Sequence, residues 1–179
     1  MITDALVNFI PIGFPQSLVT AAAGSLPSGV LDILGQGVGT PPQNIIGNRT
    51  VFGADVGIGG IRPQLEVLVT TAFATAGAAT LNVQFQAAID TGAAGNYQPG
   101  TWVTLVETGV IAVANLGLGV KLARFDFPPA FPENLNPRYL RLNFVIGTSF
   151  FSAGAVQAPV TIVRDDQANK FMVGNYVVA

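Results

Sequence analysis

The sequence predicts an all-β domain, an antiparallel jelly roll or β-sandwich of roughly eight strands with extended N- and C-terminal arms. Short segments alternate apolar and polar residues with a period of two, which places the apolar side chains on one face of a sheet. The chain contains 21 Gly and 12 Pro, and clusters of these residues separate the alternating segments. No convincing amphipathic helix lies between them, so we expect strands alone to build the core.

The strongest alternation lies at residues 137–147. Four apolar residues fall on one face of this segment: Leu140, Leu142, Phe144 and Ile146. The other side is supplied by Arg138, Tyr139, Arg141 and Asn143. A fully buried parallel strand would instead be a continuous apolar run. We therefore expect a half-buried strand, with one face on the core and the rest of the chain organised around it.

The N-terminal third shows less regular alternation. Residues 1–29 are predicted to be an extended arm, because Pro11 and Pro15 exclude a continuous helix. A short strand is predicted over residues 30–34. The Gly-rich region that follows, residues 35–64, is too long for an ordinary connection, and loops of that length are usually functional or docked elsewhere. We assign residues 30–167 to the jelly-roll domain and residues 168–179 to a C-terminal tail.

Regular alternation begins at residue 65. Strands are predicted over residues 65–73 and 81–89, joined as a hairpin by a turn at 76–78. Later strands are predicted over 102–107, 120–127 and 156–162. Pro159 has no N–H to donate, so the last strand is expected at a sheet edge or with a bulge. The alternation predicts the following core residues: Leu81, Val83, Phe85, Leu140, Leu142, Phe144 and Ile162.

The composition excludes several kinds of chemistry. Without Cys or His, the chain has no disulfide, thiol nucleophile, Cys/His zinc site or histidine base.

Only 10% of the chain's residues are charged, against about 25% in typical domains. We expect such a chain to bury much of its surface against partners; the alternative is a stable β-domain with many small surface residues. The sequence shows neither an uninterrupted apolar run of ~20 residues nor a basic signal-peptide start.

The remaining motifs give weak signals for ligand chemistry. Residues 35–39 are Gly-rich, but the prolines at 41–42 exclude the helix that follows a phosphate-binding loop. Residues 48–50 match the short glycosylation sequon. Residues 165–166 are adjacent acids, whereas a calcium site needs six to eight oxygens, and glycosidase chemistry needs two facing carboxylates. We expect no catalytic residue, no metal site and no cofactor, and therefore no enzyme.

The charged residues do not suggest binding to nucleic acid. Eight Lys and Arg are spread along the chain against ten Asp and Glu, whereas a nucleic-acid-binding domain concentrates basic residues in one footprint. Arg138 and Arg141 are expected to pair with acids on a neighbouring strand or chain. Neither nucleic acid nor a membrane is expected as a partner.

Five segments together resemble a known family. They are 99–102 (PGTW), 123–126 (ARFD), 137–143 (PRYLRLN), 151–156 (FSAGAV) and 163–166 (VRDD). The strand 139–143 followed by the Phe-x-Ala-Gly turn at 151–154 is the most specific element. Over roughly residues 30–166 the chain resembles the minor capsid, cement or decoration proteins of tailed bacteriophages, and most closely the Bordetella-phage-like cement protein family.

The resemblance implies a jelly-roll protein on the outside of an HK97-type phage head. Such a protein bridges neighbouring major capsid subunits and stabilises the shell. Its partners would be the phage major capsid protein and itself, as a homodimer or homotrimer. It would be located in the virion, on the outer surface of the capsid, after assembly in the host cytoplasm. The alternative function is a carbohydrate- or receptor-binding β-sandwich of a phage tail or adhesin, which should show clustered Trp and Tyr with acids on one loop rim.

The terminal regions and the Gly-rich region are expected to contact other molecules, because they are too apolar for solvated coil. The predicted interface residues are Ile10, Ile12, Phe14, Phe52, Ile58, Ile61, Phe171 and Tyr176.

Overall fold

The computed structural model describes residues 2–10, 13–33, 63–93, 96–127 and 131–162. Within these ranges the chain forms strands and a single 3-10 turn, Val113–Asn115. The strands are β1 (Ile2–Ile10), β2 (Gln16–Ser17), β3 (Gly24–Pro27), β4 (Leu31–Asp32), β5 (Pro63–Ala74), β6 (Thr80–Ala88), β7 (Val103–Glu107), β8 (Ile111–Ala112), β9 (Lys121–Asp126), β10 (Tyr139–Gly147) and β11 (Ala153–Ile162). No helix in these ranges has the length and apolar character that crossing a membrane requires.

The strands form two antiparallel sheets. The five-stranded sheet has the order β1-β11-β5-β9, with β2 also paired to β11. The six-stranded sheet has the order β3-β10-β6-β7, with β4 also paired to β10 and β8 to β6. If β3 with β4, and β7 with β8, are each counted as one interrupted strand and the two-residue β2 is left out, the main strands of the described ranges number eight, in the orders 1-8-3-6 and 2-7-4-5. This arrangement is a jelly roll, as the sequence predicted.

Apolar side chains from both sheets fill the space between them. Six of the predicted core residues are fully buried: Leu81, Val83, Phe85, Leu140, Leu142 and Phe144. Aromatic rings connect the two layers at Phe85 of β6. Its ring centroid lies 5.6 Å from that of Phe9 and 5.8 Å from that of Phe125, both in the five-stranded sheet. The side chain of the seventh predicted core residue, Ile162, lies outside the described residues.

The predicted hairpin between the strands at 65–73 and 81–89 is wrong. Both strands exist as β5 and β6, but β5 pairs with β11 and β9, whereas β6 pairs with β10, β7 and β8. The connection at residues 75–79 therefore crosses from one sheet to the other. Two alternating strands have the same sequence pattern whether they pair side by side or face each other across a core, so periodicity alone did not distinguish these arrangements.

Pro159 lies in a central strand, not at an edge. Strand β11 is flanked by β1 on one side and β5 on the other, so the edge interpretation is wrong. Pro159 lies opposite Asn8 of β1, and the register between β1 and β11 shifts on both sides of this pair. The missing N–H thus falls at an irregularity of the ladder, which confirms the bulge interpretation.

The N-terminal region contributes strands to both sheets. β1 and β2 pair with β11, and β3 pairs with β10. Ile10 is buried in the core of its own chain, which corrects its assignment to an intermolecular surface. Phe14, in the loop after β1, is 79% exposed. The other predicted interface residues lie outside the described residues: Ile12, Phe52, Ile58, Ile61, Phe171 and Tyr176. Residues 35–62 and the tail 168–179 also lie outside them.

Candidate interaction surfaces

A buried arginine connects three segments at one end of the sandwich. Arg138, just before β10, donates from Nε and Nη2 to the two carboxylate oxygens of Asp32 in β4, at 3.1 and 3.0 Å. Its Nη1 donates to Asp90, after β6, at 2.7 Å. The ring centroid of Tyr97 lies 3.8 Å from its guanidinium carbon. The prediction that Arg138 pairs with acids on neighbouring segments is confirmed. Its ion pair with Asp90 holds the loop after β6 against the sheet.

Arg138 and its carboxylate partners stabilise each other's charged forms. Burial acts to raise the pKa of Asp90, but N–H groups of Gly92 and Gln98 and the Arg138 cation together lower it. Burial likewise acts to lower the pKa of Arg138, but hydrogen bonding and attraction to Asp32 raise it. Both groups are therefore charged at neutral pH. A permanently ionised, hydrogen-bonded pair has a structural role and is not suited to proton transfer.

The lowered pKa of Asp90 predicts a contribution to acid sensitivity. Since the folded pKa of Asp90 lies below the usual aspartate value of 3.8, ionised Asp90 stabilises the fold above that pH, and this stabilisation is lost as the pH falls through the lowered folded pKa. We expect the free energy of unfolding of Asp90→Asn to fall less steeply than that of the wild type between about pH 5 and pH 2. Urea titrations across this range test the difference; equal slopes would contradict it.

Amide side chains form a hydrogen-bonded row across the outward face of the six-stranded sheet. Ser25 of β3 donates to Asn143 of β10 at 2.9 Å, and Asn143 donates to Gln84 of β6 at 3.1 Å. Glu107 of β7 accepts from Asn82 at 2.9 Å and from Gln84 at 3.1 Å. These hydrogen bonds lower the pKa of Glu107. The face is thus polar, mostly neutral and internally ordered.

Arg141 lies in the middle of this outward face. Its Nε donates to Gln86 of β6 at 2.9 Å, and its guanidinium carbon lies 4.1 Å from the centroid of the Trp102 ring. Burial lowers the pKa of Arg141. Across the described ranges, no carboxylate forms an ion pair with Arg141. Within the described residues Arg141 therefore does not pair with an acid of a neighbouring strand, because its cross-strand partner on β6 is the amide of Gln86; pairing with an acid of another chain stays a prediction.

The outward side of β10 is more covered than the sequence predicted. Tyr139 and Asn143 are buried although they lie opposite the core face. Strand β10 is flanked on both edges, by β3 and β4 and by β6. The Trp102 ring lies over Arg141 of β10, and the Tyr97 ring lies over Arg138 just before it. The Tyr139 hydroxyl has no hydrogen-bond partner among the described residues, and burial raises its pKa.

A second surface lies at the end of the sandwich opposite the Arg138 cluster, where four loops meet. We call it the loop end and define it as residues 13–23, 75–79, 108–120 and 148–152. Backbone hydrogen bonds connect its segments to one another and to the end of β5: Thr20 N donates to Phe151 O, Ser152 N to Ala74 O, and Phe73 N to Leu116 O. None of the four segments contains Asp, Glu, Lys or Arg. The loop end is therefore a continuous surface without charge.

The loop end also concentrates exposed apolar side chains. Ten large hydrophobic residues are exposed in the described ranges, and six of them lie here: Phe14, Val19, Val110, Leu118, Val120 and Phe150. Val110 and Leu118 are 75% and 70% exposed. Clusters of exposed apolar residues commonly mark interaction sites. Phe14 is the one member of this set that the sequence predicted as an interface residue; for the other five, the absence of charge from four separate loops was the available signal.

The acidic side chains of the described residues do not gather into a metal site. No group of three or more His, Cys, Asp or Glu in these ranges is close enough to hold a metal ion. Asp126 and Glu133 are exposed, while the acidic pair at 165–166 and the sequon at 48–50 lie outside the described residues. Of the two surfaces, the loop end presents exposed apolar side chains, and the outward face of the six-stranded sheet presents Arg141 and its polar surroundings.

Comparison with protein-family models matches residues 42–160 of the chain to the family described as Bbp16. The match spans about two thirds of the chain and contains β5 to β10 entirely, with most of β11. No curated protein matches the chain.

Proposed function

The chain belongs to the Bbp16 family, a Bordetella phage protein family, and on this premise we propose that it is a structural virion protein, specifically a capsid cement protein. In this role it binds the outside of an HK97-type head, bridges neighbouring major capsid subunits and stabilises the shell against the pressure of packaged DNA. Its partners are the phage major capsid protein and other copies of itself.

The observation that carries this proposal is the loop end. Permanent assemblies bury larger and more apolar surfaces than transient ones, and the loop end exposes apolar side chains without any charge that would need desolvation. The low charge of the whole chain, 10% of its residues, agrees with a protein that functions in an assembly. A jelly roll supplies a rigid frame that holds such loops at one end.

Charged substitutions at the loop end should weaken capsid binding. Burying one apolar side chain of this size contributes about 1.5–3 kcal/mol, which corresponds to a roughly 10- to 100-fold change in affinity. We expect Leu118→Asp and Val110→Asp each to weaken capsid binding by at least tenfold, since each removes an apolar contact and introduces a carboxylate. The measurement is co-sedimentation of purified protein with cement-free capsids over a concentration series.

A matched control is available at the opposite end of the sandwich. Ile89 is also an exposed aliphatic residue, 43% exposed, so Ile89→Asp introduces the same charge away from the loop end and should bind capsids as the wild type does. Thermal unfolding of all three variants checks that the fold is intact. Failure of the wild-type protein to bind capsids would overturn the proposed function. An equal loss of capsid binding in all three variants would show that the loop end is not the capsid-binding surface.

A second candidate function is binding of carbohydrate on the outward face of the six-stranded sheet. The observation in its favour is the combination of Trp102 with a row of amide side chains, which are residue types that bind sugars. Arg141 covers one face of the Trp102 ring, so only the other face remains for stacking with a sugar. Binding of the purified protein on a glycan array would favour this function.

A further inference from the structure

Arg141 has hydrogen-bonding capacity that the described chain does not use. A guanidinium group carries five N–H donors, and in the described ranges only Nε–H of Arg141 has a partner, the side-chain oxygen of Gln86. The contrast with other arginines is clear. Arg138 donates to two carboxylates, and Arg124 lies 3.5 Å from Glu66. Arg141 is thus a half-buried cation without an acidic partner in these ranges.

The position of this cation is fixed by its neighbours. The Trp102 ring lies against one face of the guanidinium, and Gln86 accepts from Nε while its own amide nitrogen donates to Gln84 and Thr104, at 3.1 and 3.2 Å. An exposed arginine ordinarily keeps its charged group in water. Here the group is held against an aromatic ring at the centre of a sheet face, so little further ordering is needed for it to bind a partner.

We propose that Arg141 and Trp102 form a docking site for one Asp or Glu side chain of the protein that this chain coats. This inference rests on the proposed function and deepens it. The two unpaired Nη groups match the two oxygens of a carboxylate, which can accept both hydrogen bonds in parallel. Arg and Trp are also enriched among the residues that dominate binding energy at interfaces.

The surroundings of Arg141 favour a single carboxylate within a neutral protein surface. The adjacent side chains, Gln86, Gln84 and Asn143, are amides that can form a polar rim. Glu107 carries a negative charge on the same face and would repel a polyanion such as nucleic acid. A partner that presents one acid among neutral residues has the complementary charge pattern.

Substitution at this position tests the site in capsid binding. We expect Arg141→Gln to weaken binding to cement-free capsids at least tenfold, and Arg141→Lys to weaken it less, because Lys keeps the charge but loses the two parallel hydrogen bonds. Arg124→Gln, on the other sheet, is the matched control and should bind as the wild type does. If the wild type binds capsids and Arg141→Gln binds equally well, the docking site is wrong while the proposed function remains.

A cross-linking experiment identifies the partner group. A carbodiimide joins amines to carboxylates without a spacer, so the amine introduced by Arg141→Lys should couple to an Asp or Glu of the major capsid protein, read by peptide mass spectrometry. In Arg124→Lys the coupling should instead occur within the chain, to Glu66. Coupling of the position-141 amine to Glu107 of a second copy, or no coupling on capsids that the variant binds, would overturn the proposal. Failure of the wild type to bind capsids would overturn both the docking site and the proposed function.

Discussion

Replacing Arg138 with Met should lower the free energy of unfolding by about 3–5 kcal/mol, the range found when one member of a buried ion pair is removed. Arg138 supplies two hydrogen bonds to the buried carboxylate of Asp32 and a third to Asp90. In Arg138→Met these carboxylates lose that cation and its hydrogen bonds, while Asp32 stays in a site with little access to water. Chemical denaturation at neutral pH measures the loss.

Two further variants separate this explanation from a general effect of removing arginine. Arg124→Met removes an exposed arginine from Glu66 and should change the free energy of unfolding by less than about 1 kcal/mol. Arg138→Met combined with Asp32→Leu removes both charges of the buried pair, so it should recover part of the stability lost in the single variant. A loss in Arg138→Met no larger than that in Arg124→Met would show that the cluster contributes little.

Most long strands could be predicted from the sequence because their buried positions repeat with a period of two. Strands β5, β6, β9, β10 and β11 lie within a few residues of the predicted ranges. Of the three two-residue strands in the described ranges, β4 lies within the predicted range 30–34, whereas β2 and β8 are too short to show any period and were not predicted. Sheet membership was the main error: alternation identifies which face of a strand is buried, but it does not say which strand pairs with it.

The candidate surfaces were less predictable, for a related reason. The pairing of Arg138 with acids follows from the cost of burying an unpaired charge. The contact between Arg141 and Trp102 depends on the registers of two ladders, because β6 lies between β10 and β7. The loop end brings together four segments that are distant in sequence. Contacts of this kind depend on which strands are neighbours in the sheets, and the local alternation of apolar and polar residues does not specify that order.

The largest effect of a core substitution is expected at Phe85. Its side chain is fully buried, and its ring is edge-on to Phe9 and stacked on Phe125, so it connects strand β6 with β1 and β9 of the other sheet. We expect Phe85→Ala to lower the free energy of unfolding by about 3–5 kcal/mol, since it removes a buried ring and leaves a cavity between the sheets. Urea denaturation, with the wild type measured in parallel, gives the value.

Two comparisons establish that the cross-sheet contacts are responsible. Phe150→Ala removes the same atoms from a side chain that is 37% exposed, and it should cost much less. A double-mutant cycle between Phe85→Ala and Phe9→Ala should show a coupling energy of about 0.5–1.5 kcal/mol, the range for an aromatic pair beyond its buried area. Strictly additive losses would mean that Phe85 stabilises the protein through burial alone, and that the rings do not couple the two sheets.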